Sequence, residues 1–221
     1  GDRKGLADVA DALASLKFDR GAFEDAEKAY RKAIQYKNAI DDVRGVASSL
    51  NNLGATWIEQ GKGGKAISAW AEGLELAGMI GHRVLQATLA GNLGEAMLRS
   101  GQYEQAEDYF QQAMGWAAIA DVPRVLCDIH LNWSRLHLRK GNWDLAVDEL
   151  AGAETMAIRL GLPRTFGDLA ITLGDLFAAR SESSTEKMRT KHLKKAAKHY
   201  TEAIDHYAKG ACHFRSARTR T

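Results

Sequence analysis

Proline is almost missing from this chain: Pro123 and Pro163 are the only two in 221 residues. Such scarcity removes the main interrupter of helices, and the abundance of Ala, Leu, Gln, Glu and Lys favours helix over sheet. Cysteine is equally sparse. Cys127 and Cys212 stand far apart and match neither a disulfide framework nor a zinc-ligand spacing. Two free thiols fit a reducing, cytoplasmic setting. No apolar run approaches the roughly 20 residues needed to cross a bilayer, so no membrane association is expected. There is no secretory leader pattern, and the chain opens on Gly1 rather than Met, which reads as a piece excised from a longer protein.

Motifs for catalysis are lacking too. There is no His-Glu-x-x-His, no nucleophile elbow and no dinucleotide fingerprint. Gly61-Lys62-Gly63-Gly64-Lys65 has the look of a phosphate loop but the wrong spacing, and no Ser or Thr follows its Gly-Lys. His192, His199, His206 and His213 recur at steps of seven. On a helix that step is about 10 Å, whereas zinc ligands sit about 2 Å from the metal, so these cannot share an ion. They read as a partly exposed stripe on the last helix. His130 and His137 read as hydrogen-bonded core residues, and Cys127 with His130 has no further ligands near it in sequence. Asn132-Trp133-Ser134 fits a glycosylation sequon but falls in a packed helix. Neither an enzyme nor a cofactor or metal site is expected.

What is present is a repeat. Glycines 21, 61, 101 and 141 and alanines 26, 66, 106 and 146 are spaced at 40. Between the glycines, Asp41, Gly81, Asp121 and Gly161 share a register of their own. Apolar residues recur at helical spacing on both sides of each glycine, giving helix pairs at 5–19 with 23–36, 46–60 with 65–76, 84–100 with 103–118 and 125–140 with 143–160. A fifth pair begins at Phe166–Arg180, after which about ten polar residues intrude before its alanine, Ala196. An exposed loop is expected at Ser181–Glu186. Units are thus placed at about 5–40, 45–80, 85–120, 125–160 and 165–209, with an insertion at 181–191 and a basic tail at 210–221.

Leu50, Leu53, Gly54, Trp57, Ala66 and Trp70 in the second unit, and Ala90, Leu93, Gly94, Met97, Ala106 and Phe110 in the third, follow large-x2-Leu-Gly-x2-aromatic, then Ala-x3-aromatic. The fourth follows it more loosely, at His130, Trp133, Ser134, His137, Ala146 and Leu150, and the first only at Ala26 and Tyr30. The chain resembles a tetratricopeptide-repeat (TPR) array, with a step of 40 rather than about 34, similar to the longer repeats of kinesin light chains. The resemblance implies an all-α, right-handed solenoid of antiparallel helix pairs with a concave face, serving as a protein-interaction scaffold.

Helical periodicity sets certain first-helix residues opposite the packing positions. They are Asp8, Ala12, Ser15 and Asp19 in the first unit and Ser48, Asn52, Ala55 and Glu59 in the second. The third has Thr88, Asn92, Glu95 and Arg99, and the fourth Asp128, Asn132, Arg135 and Arg139. The fifth has Asp168, Thr172, Asp175 and Ala179. None is large and apolar. Asn52, Asn92 and Asn132 occupy one position in three successive units, and an amide there is suited either to a ligand's backbone or to bonding neighbouring helices. Chaperone-binding relatives use an Asn at this place to clamp a terminal carboxylate. The basic companions of such a clamp are Asp11, Thr88 and Asn92 here, so that partner does not carry over. Arg99, Arg135 and Arg139 form a basic centre, with Glu95 and Asp128 beside it. The expected partner is a peptide or helix with an acidic residue opposite the third and fourth units. The competing reading is a ligand- or peptide-sensing array of a larger bacterial regulator. Residues 181–221 carry ten Lys and Arg against four Asp and Glu; this reads first as a solvated terminal helix, and nucleic-acid binding is the lesser reading.

Overall fold

A computed structural model describes residues 2–182 and 184–218, the side chains at 163, 164, 207 and 209–218 excepted. Every regular element among them is an α-helix: α1 Arg3–Asp19, α2 Phe23–Asn38, α3 Val43–Glu59, α4 Gly63–Met79, α5 Arg83–Arg99, α6 Tyr103–Ile119, α7 Pro123–Arg139, α8 Trp143–Leu160, α9 Pro163–Glu182 and α10 Glu186–Arg218. The chain is an all-α solenoid of antiparallel pairs, α1 with α2 through α9 with α10. It forms two compact units, Gly1–Val122 and Pro123–Thr221.

The turns explain the regularity. Residues 21, 41, 61, 81, 101, 121, 141 and 161 all have positive φ, six of them glycine and two, Asp41 and Asp121, aspartate. At the end of α1, Gly21 N–H donates to Phe18 O and Ala22 N–H to Lys17 O, each at 2.9 Å. This pairing satisfies carbonyls that the helix leaves open, and it requires a left-handed residue at Gly21 (φ 76°). Asp2 and Asp42 cap the starts of α1 and α3, accepting from the backbone N–H of Gly5 and Gly45 at 2.9 Å. The two prolines are the first residues of α7 and α9, where a missing N–H costs nothing.

Within a pair, the second helix presses an aromatic into a gap on the first. A Cβ on Gly94 would meet the Phe110 ring at 2.5 Å, and one on Gly174 would meet Tyr200 at 2.5 Å. Gly54 faces the Trp70 indole in the same way. In the fourth pair Gly becomes Ser134, and the residue 16 positions later shrinks to Leu150; both are buried. Buried alanines at 26, 66, 106 and 146, and at 77, 117 and 157, complete the close helix approach.

The polar stretch after α9 is not the expected open loop. α9 runs to Glu182 and α10 starts at Glu186. Ser181 is buried and donates to Ala178 O at 2.6 Å, and Ser184 donates to Arg180 O at 2.6 Å. Serine hydroxyls returned to the preceding turn let the extra residues lengthen both helices. The tail expected from 210 is helical in backbone as far as Arg218, and residues 219–221 lie outside the described residues, as do the side chains of Cys212 and His213.

Candidate functional site: the first-helix faces

In the first unit α1 touches α3 and α3 touches α5; in the second, α7 touches α9. The first helices of successive pairs therefore form a continuous face within each unit. Ser48, Asn52, Ala55 and Glu59 on α3, and Thr88, Asn92, Glu95 and Arg99 on α5, are all half-buried or exposed, while Leu50, Leu53, Leu89, Leu93 and Met97 are buried. Asp128, Asn132, Arg135 and Arg139 hold the same stripe on α7. Periodicity placed these residues on the face they occupy.

The asparagines are engaged. Asn92 Nδ2 donates to Asn51 Oδ1 at 2.8 Å, and Asn51 Nδ2 donates to Asn52 Oδ1 at 3.2 Å. The Tyr30 hydroxyl of α2 lies 3.1 Å from Ser15 Oγ of α1. Burial is the main reason the Tyr30 phenol titrates above its ordinary value. Polar bonds thus join α5 to α3 through the asparagines, and α2 to α1 through Tyr30 and Ser15. In the second unit Asn132 Oδ1 accepts from Arg135 Nη1 at 2.9 Å. Each amide keeps part of its hydrogen-bonding capacity, since an Asn offers two donors and two acceptor lone pairs.

The charged residues differ in freedom. Arg135 is committed to three neighbours: Asn132, Thr172 Oγ1 at 3.4 Å and Asp168 Oδ1 at 3.8 Å. Arg99 makes only a long contact to Glu95, 3.9 Å, and projects into solvent. Arg139 and Asp128 are exposed. Arg99 belongs to the first unit and Arg135 and Arg139 to the second, so the expected basic centre draws on both units.

A second polar cluster escaped the sequence reading. Lys37 of α2 is buried, with Nζ on the Asp11 carboxylate of α1, 2.9 Å from Ser49 Oγ and 3.3 Å from Gly45 O on α3. Ser49 donates in turn to Asp11 Oδ1 at 2.8 Å. The signal was available in the 40-residue register. Positions 77, 117 and 157 answer to Lys37 and are all Ala; 89, 129 and 169 answer to Ser49 and are Leu, Ile and Leu. Only the first junction is polar where the later ones are apolar.

The glycine-rich turn carries no ligand geometry. Lys62 Nζ lies 3.1 Å from Glu27 Oε2, and Arg31 binds the same carboxylate at 3.2 Å while its guanidinium covers the Trp57 ring at 5.2 Å. Desolvation pushes the Glu27 carboxyl up, but the polar contacts of Trp57, Lys62 and Arg31 outweigh it and lower the pKa to about 2. The Trp57 N–H forms no hydrogen bond of good geometry, so its share is a dipole close to the carboxylate. His130 pairs with Glu149 at 2.6 Å, as a core histidine should, whereas His137 Nδ1 is buried without a hydrogen bond and its ring stacks on Trp133. His192 and His199 lie against Phe177, and His206 against Phe166. Burial raises the Cys127 thiol to about 11, which suits a packed rather than a reactive cysteine. Among the described residues no group of His, Cys, Asp and Glu is arranged to hold a metal, and no helix is long and apolar enough to cross a membrane.

The tetratricopeptide repeat family model matches residues 45–115, from α3 into α6. No curated protein matches the sequence. Among solved structures, BtubC (BKLC) from P. vanneervenii is similar at 20% identity and a TM-score of 0.70, over 95% of this chain and 84% of that one. A putative kinesin light chain from Podosopora anserina with nearly identical TPR-like repeats is similar at 14% identity and a TM-score of 0.61, over 86% and 93% of the two chains. MamA is similar at 18% identity and a TM-score of 0.51, over 93% and 94%. The fold is one that presents surfaces to other proteins. The chain has the fold of a tetratricopeptide-repeat array, with a 40-residue step, and its residues 45–115 match that family's model.

Proposed function

We propose that this chain is a non-catalytic scaffold that holds a peptide or helix of a partner protein against its first-helix faces. The observation that carries this reading is the composition of the stripe. On α3, α5 and α7 it is half-buried to exposed, it is lined by amides and charges, and it presents no large apolar side chain. A face built this way holds a segment by its backbone and by matching charges rather than by apolar anchors. Arg135, tied to Asp168 and Thr172, is a positioned part of the wall. Arg139, exposed at the end of α7, is the group that takes an acidic residue of the partner, in the fork geometry that guanidinium and carboxylate share.

The asparagines serve both roles named by their chemistry. Asn52 and Asn92 hold α3 to α5 through Asn51, and their remaining donors face the bound segment. Peptides selected from a random library on the intact chain test the reading. They are expected to be enriched in Asp or Glu and to lose at least about tenfold in affinity on Arg139→Glu. Binding that survives Arg139→Glu combined with Arg135→Glu unchanged overturns it. A library of small metabolites that raises the melting temperature without any peptide would instead establish a sensor.

A further inference from the structure

Successive second helices do not touch. Among the described residues α2 and α4 each pack on α3 but not on one another, and α4 and α6 stand in the same relation to α5. Each such gap has a first helix at its floor. Between α2 and α4 it is a cleft of 370 Å³, open to solvent. Leu50 and Trp57 of α3 and Ala69 of α4 are its buried floor, and Lys65 and Glu72 stand exposed at its mouth. The cleft lies inside the first unit, between helices that are both present, so a repeat added at either end of the stack would not cover it.

The 40-residue register shows what such a cleft can hold. One step on from Ala69 stands Tyr109 of α6, half-buried against the cluster that contains Trp70, Leu89 and Leu93. There the chain supplies an aromatic ring of its own; at Ala69 it supplies a methyl group. A second difference lies beside it. Arg31 and Trp57 become Ala71 and Met97 one step on. Only the α2–α4 cleft therefore has a guanidinium laid over an indole, at 5.2 Å from the ring centre. The Arg31 side chain is 53% exposed, so the face turned away from Trp57 is open. A guanidinium stacks on aromatic rings through both of its faces, and here one is taken. Lys65 and Glu72 carry opposite charges, so the mouth favours neither acidic nor basic flanks.

We infer that the α2–α4 cleft is a second docking site, which takes an exposed aromatic side chain, tyrosine above all, from a partner protein. The ring enters between the second helices where Tyr109 stands one step on, and completes a ring–guanidinium–ring stack on Arg31. The site is separate from the first-helix face and does not depend on a ligand there. An aromatic ring brings a large apolar area at small entropic cost and a π face that an aliphatic chain of equal bulk lacks.

The probe is a short peptide with a central tyrosine between glycine and serine residues, titrated into the intact chain and followed by the NMR signal of the Trp57 indole N–H. The expected result is a saturable shift there and at the Lys65 amide. Replacing the tyrosine by cyclohexylalanine, which keeps the bulk and removes the π face, should weaken binding on the order of tenfold, as should Arg31→Ala. Ala69→Tyr, which copies α6, should abolish binding while the melting temperature stays at the wild-type value or above. Arg139→Glu should change nothing. Where Ala69→Tyr fails to fold by circular dichroism, Arg31→Ala decides alone. The inference is overturned if Trp57 does not respond, if cyclohexylalanine binds as well as tyrosine, or if either folded cleft variant binds like wild type. Loss of binding on Arg139→Glu also overturns it, because the peptide then lies on the first-helix face. So does free tyrosine binding more tightly than the peptide, which makes the cleft a small-molecule site. A wild-type dimer in sedimentation that Arg31→Ala dissolves overturns it too, because a second copy then supplies the ring.

Discussion

At the scale of single residues, the fold rests on matched small and large partners. Gly94 and Phe110 fit because no Cβ intervenes; Ser134 and Leu150 fit because the partner is smaller. Gly94→Ala is therefore expected to cost about 1–3 kcal/mol by overpacking. Gly94→Ser with Phe110→Leu, which copies the fourth pair, should recover part of that loss in a urea titration. A double variant no more stable than Gly94→Ser alone would contradict the pairing. Glu27 gives a pH signature. Its carboxyl titrates at about 2 in the folded chain against an ordinary 4.5. The stabilisation it contributes is complete above the unfolded value and is lost as pH falls from about 4.5 through 2. Glu27→Gln should destabilise the chain by about 1.5–3 kcal/mol at pH 7, and the gap to wild type should close near pH 2. Urea midpoints measured from pH 7 down to 2 check both the size and the direction.

At the scale of helices, the first junction is held by a buried ion pair and the later ones by apolar packing. Removing one partner of such a pair leaves a stranded charge and costs about 3–5 kcal/mol, whereas replacing the set with well-fitted apolar groups is often neutral. Lys37→Ala is thus expected to destabilise by about that amount. Asp11→Asn, Lys37→Ala and Ser49→Leu together reproduce the residues one step on, Asn51, Ala77 and Leu89, and should restore most of the loss. Thermal melts of wild type, single and triple variants decide it; a triple variant as unstable as the single one would show that the junction geometry itself is adapted to the lysine. Most helices and turns were legible in the sequence because glycine at the turns and the 3.6-residue apolar pattern are local signals. The reach of α9 to Glu182 and the start of α10 at Glu186 were not, since polar serines read as loop unless one sees their hydroxyls return to the preceding turn. The Lys37 cluster was hidden for another reason: a lone Lys or Asp on a helix looks solvated until three helices are brought together.

At the scale of the molecule, each unit is a stack in which pairs touch their neighbours. Stability in such arrays adds up from pairs and interfaces, and three or more repeats are needed for an independent fold. Residues 1–122, with three pairs, are expected to fold alone with one cooperative urea transition, checked by circular dichroism on the isolated fragment. The stripe of Asn52, Asn92, Glu95 and Arg99, with Asp128, Asn132, Arg135 and Arg139 in the second unit, was readable from periodicity alone. Its internal bonds were not, because Asn51, the link between Asn92 and Asn52, lies one residue off the repeat position that drew attention. The central claim is that partners bind along the first helices. Amide chemical-shift mapping with a library-selected peptide tests it most directly. The account predicts that the largest shifts fall on α3, α5 and α7, at Asn92, Glu95, Arg99, Asn132 and Arg139. Shifts confined to the second helices α4, α6 and α8 would contradict it.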